Sequence, residues 1–329
     1  MWKCITVQFK DEEDKHLKQI ALRYGKYFER LNIKCFQQSE NNAENTCAFL
    51  DILSSHEQLR LSHFKLDLCE QNPFFYDGGR FLTTLEGFFN SLAVQRIRSI
   101  DFSKLPIAFT DDLLEIITRN VAPNIECFNI QNKVLCSRLS AGSLIKFIEN
   151  AHNLRHLSIR STYFTTNVLK MITEKKMTNL KLISLLFTRA DKYLRLISGE
   201  DWRNMSEVLP QLRVSMKFDH TFPMHCTYQA MVPEAPISIL KLCLHAICHQ
   251  HVNMATSMYK KTLEKLVVKS TPSTDLDDAV LRLVKECDGV KDVHVHCKMD
   301  EKVVRQIHGE KRLRRYTLPS SIDDCTIIE

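Results

Sequence analysis

At 329 residues, 44% hydrophobic and 26% charged, the chain has ample material for packed cores and is too apolar to remain disordered. Its net charge of +6 is mild for the size and selects neither nucleic acid nor membrane, and no apolar run approaches the ~20 residues that span a bilayer. Eight glycines leave little for phosphate-cradling loops, and G-x-G-x-x-G, P-loop, G-x-S-x-G, C-x-x-C and H-E-x-x-H patterns are all absent, so no enzyme is expected.

In chain order, Trp2 to Phe9 alternates as a strand, with Trp2, Ile5 and Val7 set to face inward. Asp11 to Tyr24 reads as a helix with Leu17, Ile20, Ala21 and Tyr24 on one stripe, stopped by Gly25. Phe28, Leu31 and Ile33 repeat the strand pattern. The polar stretch Gln37 to Asn45 then separates them from the apolar run Cys47 to Leu53. Leu61, Phe64 and Leu66 follow, and the breakers of Asn72 to Gly79 mark a loop whose aromatics anchor it. Phe81 to Leu92 is helical and leads into Ile97, Ile100 and Phe102.

From here the chain says nearly the same thing three times. Asn124-Ile125-Glu126-Cys127-Phe128-Asn129-Ile130 returns as Asn153-Leu154-Arg155-His156-Leu157-Ser158-Ile159, and again as Asn179-Leu180-Lys181-Leu182-Ile183-Ser184-Leu185. Each copy follows a capped apolar helix. Thr110 or Asp111 caps Leu113 to Ile117, which Pro123 closes; Ser140 caps Leu144 to Ile148; Thr165 or Thr166 caps Val168 to Ile172. Side chains two apart on a strand share a face, so Leu157 and Ile159 point inward while His156, Ser158 and Arg160 point out.

After Phe187 the spacing loosens into a mixed insertion, Thr188 to Asp201. Two readings of the next strand stay open: a frame on Leu209, Leu212 and Val214, or plain alternation through Leu212, Val214, Met216 and Phe218, which place Ser215 and Met216 on opposite faces. Ile237, Leu240 and Leu242 resume the frame, then Leu263, Leu266 and Val268. Thr274 to Asp277 looks like a capping box before a helix of Leu276, Val280, Leu283, Val284 and Cys287, with Gly289 as its left-handed stop. Val290, Val293 and Val295, a short helix over Glu301 to Ile307, and Leu313, Tyr316 and Leu318 complete the series.

Twelve frames result, starting at Trp2, Phe28, Leu61, Ile97, Ile125, Leu154, Leu180, Leu209, Ile237, Leu263, Val290 and Leu313, in steps of 23 to 36 residues. That period is close to the longer leucine-rich repeats. The expected fold is α/β: a leucine-rich-repeat solenoid, curved, with parallel strands on the concave side and helices on the convex side, one domain over residues 1–318 and a tail over 319–329. Stability in such a fold comes from each repeat burying its neighbour's apolar face.

These residues resemble the irregular leucine-rich repeats of F-box proteins. Trp202 stands about ten residues before the Leu212-Arg213-Val214 strand as in that family; Trp2-Lys3-Cys4-Ile5-Thr6-Val7 is similar to the segment that follows an F-box, and Tyr27 to Ile33 to the first repeat. The resemblance spans essentially the whole chain and implies a substrate receptor of Skp-cullin-F-box ubiquitin ligases, in which the repeats hold the substrate. The F-box itself would precede Trp2, where only Met1 stands, so the Skp adaptor and cullin are expected as partners only if an F-box lies upstream in the full-length product. The alternative is a stand-alone repeat scaffold unconnected with ubiquitination.

The twelve cysteines are scattered and no signal peptide precedes them, so a reduced cytoplasmic or nuclear protein is expected. Cys243, His245, Cys248, His249 and His251, with His294, His296 and Cys297 beyond, match no known finger spacing and lack a placed carboxylate. They read as core cysteines and exposed histidines, with neither metal nor cofactor. The basic run Lys311 to Arg315, with Lys260, Lys261, Lys265 and Lys269, has no interleaved aromatics and reads as a solvated terminal repeat rather than a nucleic-acid site.

A protein-binding face is what remains. Its expected members are His156, Ser158 and Arg160 on one strand, with Gln131 before them; Leu182, Ser184 and Leu186 on the next; Lys265, Val267 and Lys269; and Asp292, His294 and His296. Leu182, Leu186 and Val267 are the exposed apolar anchors expected of an interface.

Overall fold

The structure is a computed structural model that describes residues 3–10, 15–57, 59–69, 78–132, 138–189 and 196–319. Trp2, the start of the first helix at Asp11, the loop residues Asn72 to Asp77 and the tail after Pro319 lie outside the described residues. The chain divides into two compact units, Met1–Ile159 and Arg160–Glu329. Each is an α/β leucine-rich-repeat solenoid in which parallel strands alternate with helices.

The first unit runs β1 (Cys4–Phe9), α1 (Lys15–Tyr24), β2 (Arg30–Phe36), α2 (Glu40–Ser54), β3 (His63–Cys69), α3 (Gly79–Asn90), β4 (Ser99–Asp101), α4 (Asp111–Asn120), β5 (Cys127–Asn129), α5 (Ala141–Asn150) and β6 (His156–Arg160). The strands pair in parallel in chain order, which puts Ile5, Leu31, Phe64, Ile100, Phe128 and Leu157 in one row across them. That row is the predicted inward position of six successive repeats. All but Ile5 are buried. The helices close over this face with Leu50, Leu85, Leu114 and Phe147. Phe64 is the pivot of the packing, its ring centroid 5.0 Å from Phe88, 6.0 Å from Phe89 and 5.8 Å from Phe102. The asparagine that opens the repeat frame also has a physical role. The Asn124 side-chain amide donates to the Gln95 carbonyl and Asn153 to that of Pro123, both at 2.8 Å, so each ties its repeat to the preceding one.

The second unit runs α6 (Thr166–Glu174), β7 (Leu182–Phe187), α7 (Gly199–Val208), β8 (Arg213–Phe218), α8 (Met224–Ala230), β9 (Ile237–Leu242), α9 (His249–Met258), β10 (Lys265–Val268), α10 (Thr274–Glu286), β11 (Asp292–Val295), α11 (Glu301–His308) and β12 (Arg315–Thr317). The strands again pair in parallel in chain order. The ambiguity before residue 218 resolves in favour of plain alternation: Val214, Met216 and Phe218 are buried together, and Val214 stands opposite Ile183. The repeat therefore starts at Leu212 and not at Leu209. Its entry is marked by the Leu212 N–H donating to the Leu209 carbonyl, as that of Leu180 donates to Met177. Ser238 is then an extra residue in the ladder, since Val214 pairs with Ile237 but Ser215 pairs with Ile239. A one-residue bulge re-aims the following strand without exposing Leu240 or Leu242.

Caps explain where the helices begin. Thr110, Ser140 and Thr165 accept hydrogen bonds from the N–H of Leu113, Ser143 and Val168 at 3.2, 3.1 and 3.4 Å, so Ser140 caps as expected and Thr110 and Thr165 are each the first of two expected alternatives. Several expectations need correction. Ser39 caps α2, so the polar stretch from Glu40 to Asn45 is its first turns rather than a separator. Ser273, one residue before the expected box, caps α10 through the Leu276 N–H. Tyr24 is exposed, because the apolar stripe of α1 is carried by Ala21 and half-buried Leu17 and Ile20. Gly289 is not left-handed. It is required because a Cβ there would lie 2.9 Å from the Leu263 carbonyl oxygen. Helices α7 and α8 fall where the sequence showed only loosened spacing. Tyr316, expected inward, is exposed on the last strand, which has no following repeat among the described residues to cover it.

Candidate partner-binding face

On the strands the residues between the inward ones look away from the helices, and those of them that are part-exposed define an open face in each unit. In the first unit it is polar and internally compensated. Lys65 lies 3.2 Å from Asp67 and 3.8 Å from Asp101, while Arg98 and Arg155 flank Glu126. Gln131 and Ser158 are half-buried there, and His156 is exposed with its Nδ1 3.5 Å from the Cys127 sulfur.

The second unit differs. Strand register sets its outward side chains in rows: Ser215, Ile239, Lys265 and Asp292 in one, then Lys217, Lys241, Val267 and His294 in the next. Lys269 and His296 continue beyond the strand ends, where the Lys269 N–H donates to the Leu242 carbonyl and that of His296 to Val268. Lys217 and Lys241 are thus neighbours on strands about 4.8 Å apart. Burial lowers the Lys241 ammonium below the usual lysine range, and Lys217 and Lys265 push it the same way. Burial likewise lowers the His294 and His296 imidazoles, helped by Lys265 and Lys269 respectively. At the margin Arg315 grips Asp292 with two bonds of 2.6 and 3.2 Å, and Lys265 lies 3.9 Å from the same carboxylate. His294 Nδ1 is 3.0 Å from the Thr317 hydroxyl.

Of the expected face, Ser158, Leu182, Ser184, Lys265, Val267, Lys269, His294 and His296 are half-buried on open faces, and His156 is exposed. Three expected members are not available. Arg160 is 1% exposed and donates to the Thr188 hydroxyl at 3.4 Å; Leu186 is 2% exposed; Asp292 is 6% exposed and held by Arg315. Outward orientation on a strand does not guarantee solvent. Lys217, Lys241 and Arg315 were missed. Lys241 was recoverable, since it sits between Leu240 and Leu242, whereas Lys217 was hidden by the unresolved register of its strand.

The cysteine and histidine run, expected as core cysteines and exposed histidines, is spread over several environments and follows that expectation only in part. His251 is fully buried with its ring stacked 4.1 Å from Tyr228, Cys248 is buried, and His245 is exposed in a left-handed turn. Among the described residues no three His, Cys, Asp or Glu side chains converge as a metal site, and no disulfide joins two described cysteines. No described helix is long and apolar enough to cross a membrane.

No protein-family model matches the chain. It is similar to F-box/LRR-repeat protein 8 of Homo sapiens, 23% identical over 228 residues, covering 69% of this chain and 61% of that protein. The Mus musculus protein of that name is 23% identical over 285 residues, covering 86% and 75%, and the Bos taurus one 25% identical over 228 residues, covering 69% and 61%. These similarities support a relationship to the F-box/LRR-repeat proteins. The chain spans about three fifths of the human and bovine relatives' lengths. Among solved structures, one of the Rad7 and Elc1 complex in yeast aligns over 89% of this chain and 75% of that one, at 13% identity and a TM-score of 0.45.

Proposed function

We propose that this chain is a protein-binding repeat domain, residues 1–318, that recognises substrates for an F-box ubiquitin-ligase receptor in the cytoplasm or nucleus. The open strand faces are its binding surface, and it carries out no chemistry of its own. The observation that supports this most is the similarity to F-box/LRR-repeat proteins, which extends over 86% of the chain for one relative. A repeat array suits the task because outward strand side chains vary freely while the inward ones keep the fold.

The test is affinity capture of the full-length product from cells with the proteasome blocked. Co-purification of a Skp adaptor and a cullin, together with proteins that accumulate only under the block, is the expected result. Stable partners recovered without adaptor or cullin would contradict the ligase role and favour a stand-alone scaffold.

A further inference from the structure

The open face of the second unit carries a charge arrangement that folding alone does not reward. Like charges side by side on a sheet are destabilising, yet Lys217 and Lys241 stand in register on β8 and β9, with Lys265 and Lys269 diagonal to Lys241 on the far side. Among the described residues, no carboxylate forms an ion pair with Lys217, Lys241 or Lys269, and Asp292 is already taken up by Arg315 and Lys265. Burial and its neighbours already disfavour the charged form of Lys241, so the cluster costs stability as it stands. Local rules broken at a cost in this way concentrate at functional surfaces.

We propose that this lysine cluster seats an acidic segment of a partner polypeptide laid across β8, β9 and β10. This rests on the protein-binding role given above and names the chemistry of what is bound. Ile239 and Val267 lie half-buried between the lysines, so the surface alternates charge with apolar contact. That matches a peptide whose carboxylates or phosphates are spaced by apolar side chains. It does not match a nucleic acid, because the outward positions of these strands carry no aromatic ring on which a base would stack.

The experiment uses the purified chain and fluorescent peptides: one alternating glutamate with leucine, a phosphoserine peptide of equal charge and the same apolar spacing, and a neutral glycine-serine control. Oligo-uridine of the same charge is the competitor. Binding of either acidic peptide is expected to weaken roughly tenfold or more in the Lys217→Gln, Lys241→Gln, Lys269→Gln triple variant, as each part-exposed charge contributes a fraction of a kcal/mol. The two peptides distinguish carboxylate from phosphate as the preferred anion. Lys241→Gln alone removes the half-buried charge and should leave the melting temperature unchanged or raised, so a folded variant is in hand. Equal peptide binding by wild type and the triple variant, or tighter binding of oligo-uridine than of either peptide, overturns the inference. Cellular partners captured equally by both forms overturn it too while leaving the protein-binding role intact; capture of no partner by either form would instead remove that role.

Discussion

Leu186 separates what strand periodicity implies from what packing does. It points outward on β7, opposite Lys217, and by periodicity alone it is an exposed anchor whose truncation costs within about 0.5 kcal/mol. In the structure it is 2% exposed, and Thr188, two residues on, is bonded to buried Arg160. Leu186→Ala therefore removes a buried isobutyl group, and truncations of this kind cost about 2–5 kcal/mol depending on how far the site collapses. Lying on the face away from the helices, it should fall near the lower end, about 2–3 kcal/mol. Leu182→Ala, on the same strand and face but half-buried, should cost within about 1 kcal/mol. Leu185→Ala, 3% exposed and inward, gives the core reference. The assay is urea unfolding followed by the fluorescence of Trp202, which is 2% exposed in the second unit with the Phe164 ring 5.9 Å away, in a Trp2→Phe background. A Leu186→Ala shift as small as that of Leu182→Ala, with the denaturant slope unchanged, would refute the reasoning and return Leu186 to the binding surface.

Acid should weaken the fold. Burial holds His251, His294 and His296 below the ordinary histidine value of 6.5, so the folded chain binds fewer protons than the unfolded chain. Stability is full above pH 6.5 and falls as the pH drops through that value towards the folded ones; a melting temperature as high at pH 5.5 as at 7.5, unaltered by His294→Gln, would contradict this. The glycines divide cleanly: Gly87→Ala, with open space around its Cβ in α3, should stabilise by up to about 1 kcal/mol. Gly289→Ala, which meets the Leu263 carbonyl, should destabilise by about 1–3 kcal/mol in the same urea assay, and matching signs would be inconsistent with the packing described. Thiol labelling at pH 8 followed by mass spectrometry should modify exposed Cys4 early. Cys35 and Cys287, buried and pushed up to about 11 by that burial, should react last, and early labelling of either would show that its repeat opens.

Much of this was legible because the repeat fixes both faces of each strand at once. The inward rows were readable from triplets such as Leu154, Leu157 and Ile159, and the helix starts from Thr110, Ser140 and Thr165, since a cap and an apolar period are local signals. The failures have physical causes. At β8 the entry residue is two positions from the strand's inward residue instead of three, and Ser238 bulges the next pairing, so spacing counted along the chain gave the wrong start. Gly289 was assigned to a turn because its constraint, a neighbouring carbonyl, comes from residues far away in sequence. Arg160, Leu186 and Asp292 were placed on the binding face because alternation reports direction and is blind to what lies above the sheet. Lys217 became visible as part of a cluster only when register set it beside Lys241.

The open strand face as the gripping surface is tested most directly by site-specific photo-crosslinking in cells. A benzophenone amino acid is placed at Val267, amid the lysines on β10, or at Glu286, whose side chain is 39% exposed at the end of α10 on the helical side. Crosslinks from position 267 to a partner, with none from position 286, are the predicted outcome. Partners joined through position 286 and absent at 267 would put recognition on the helices and contradict the account.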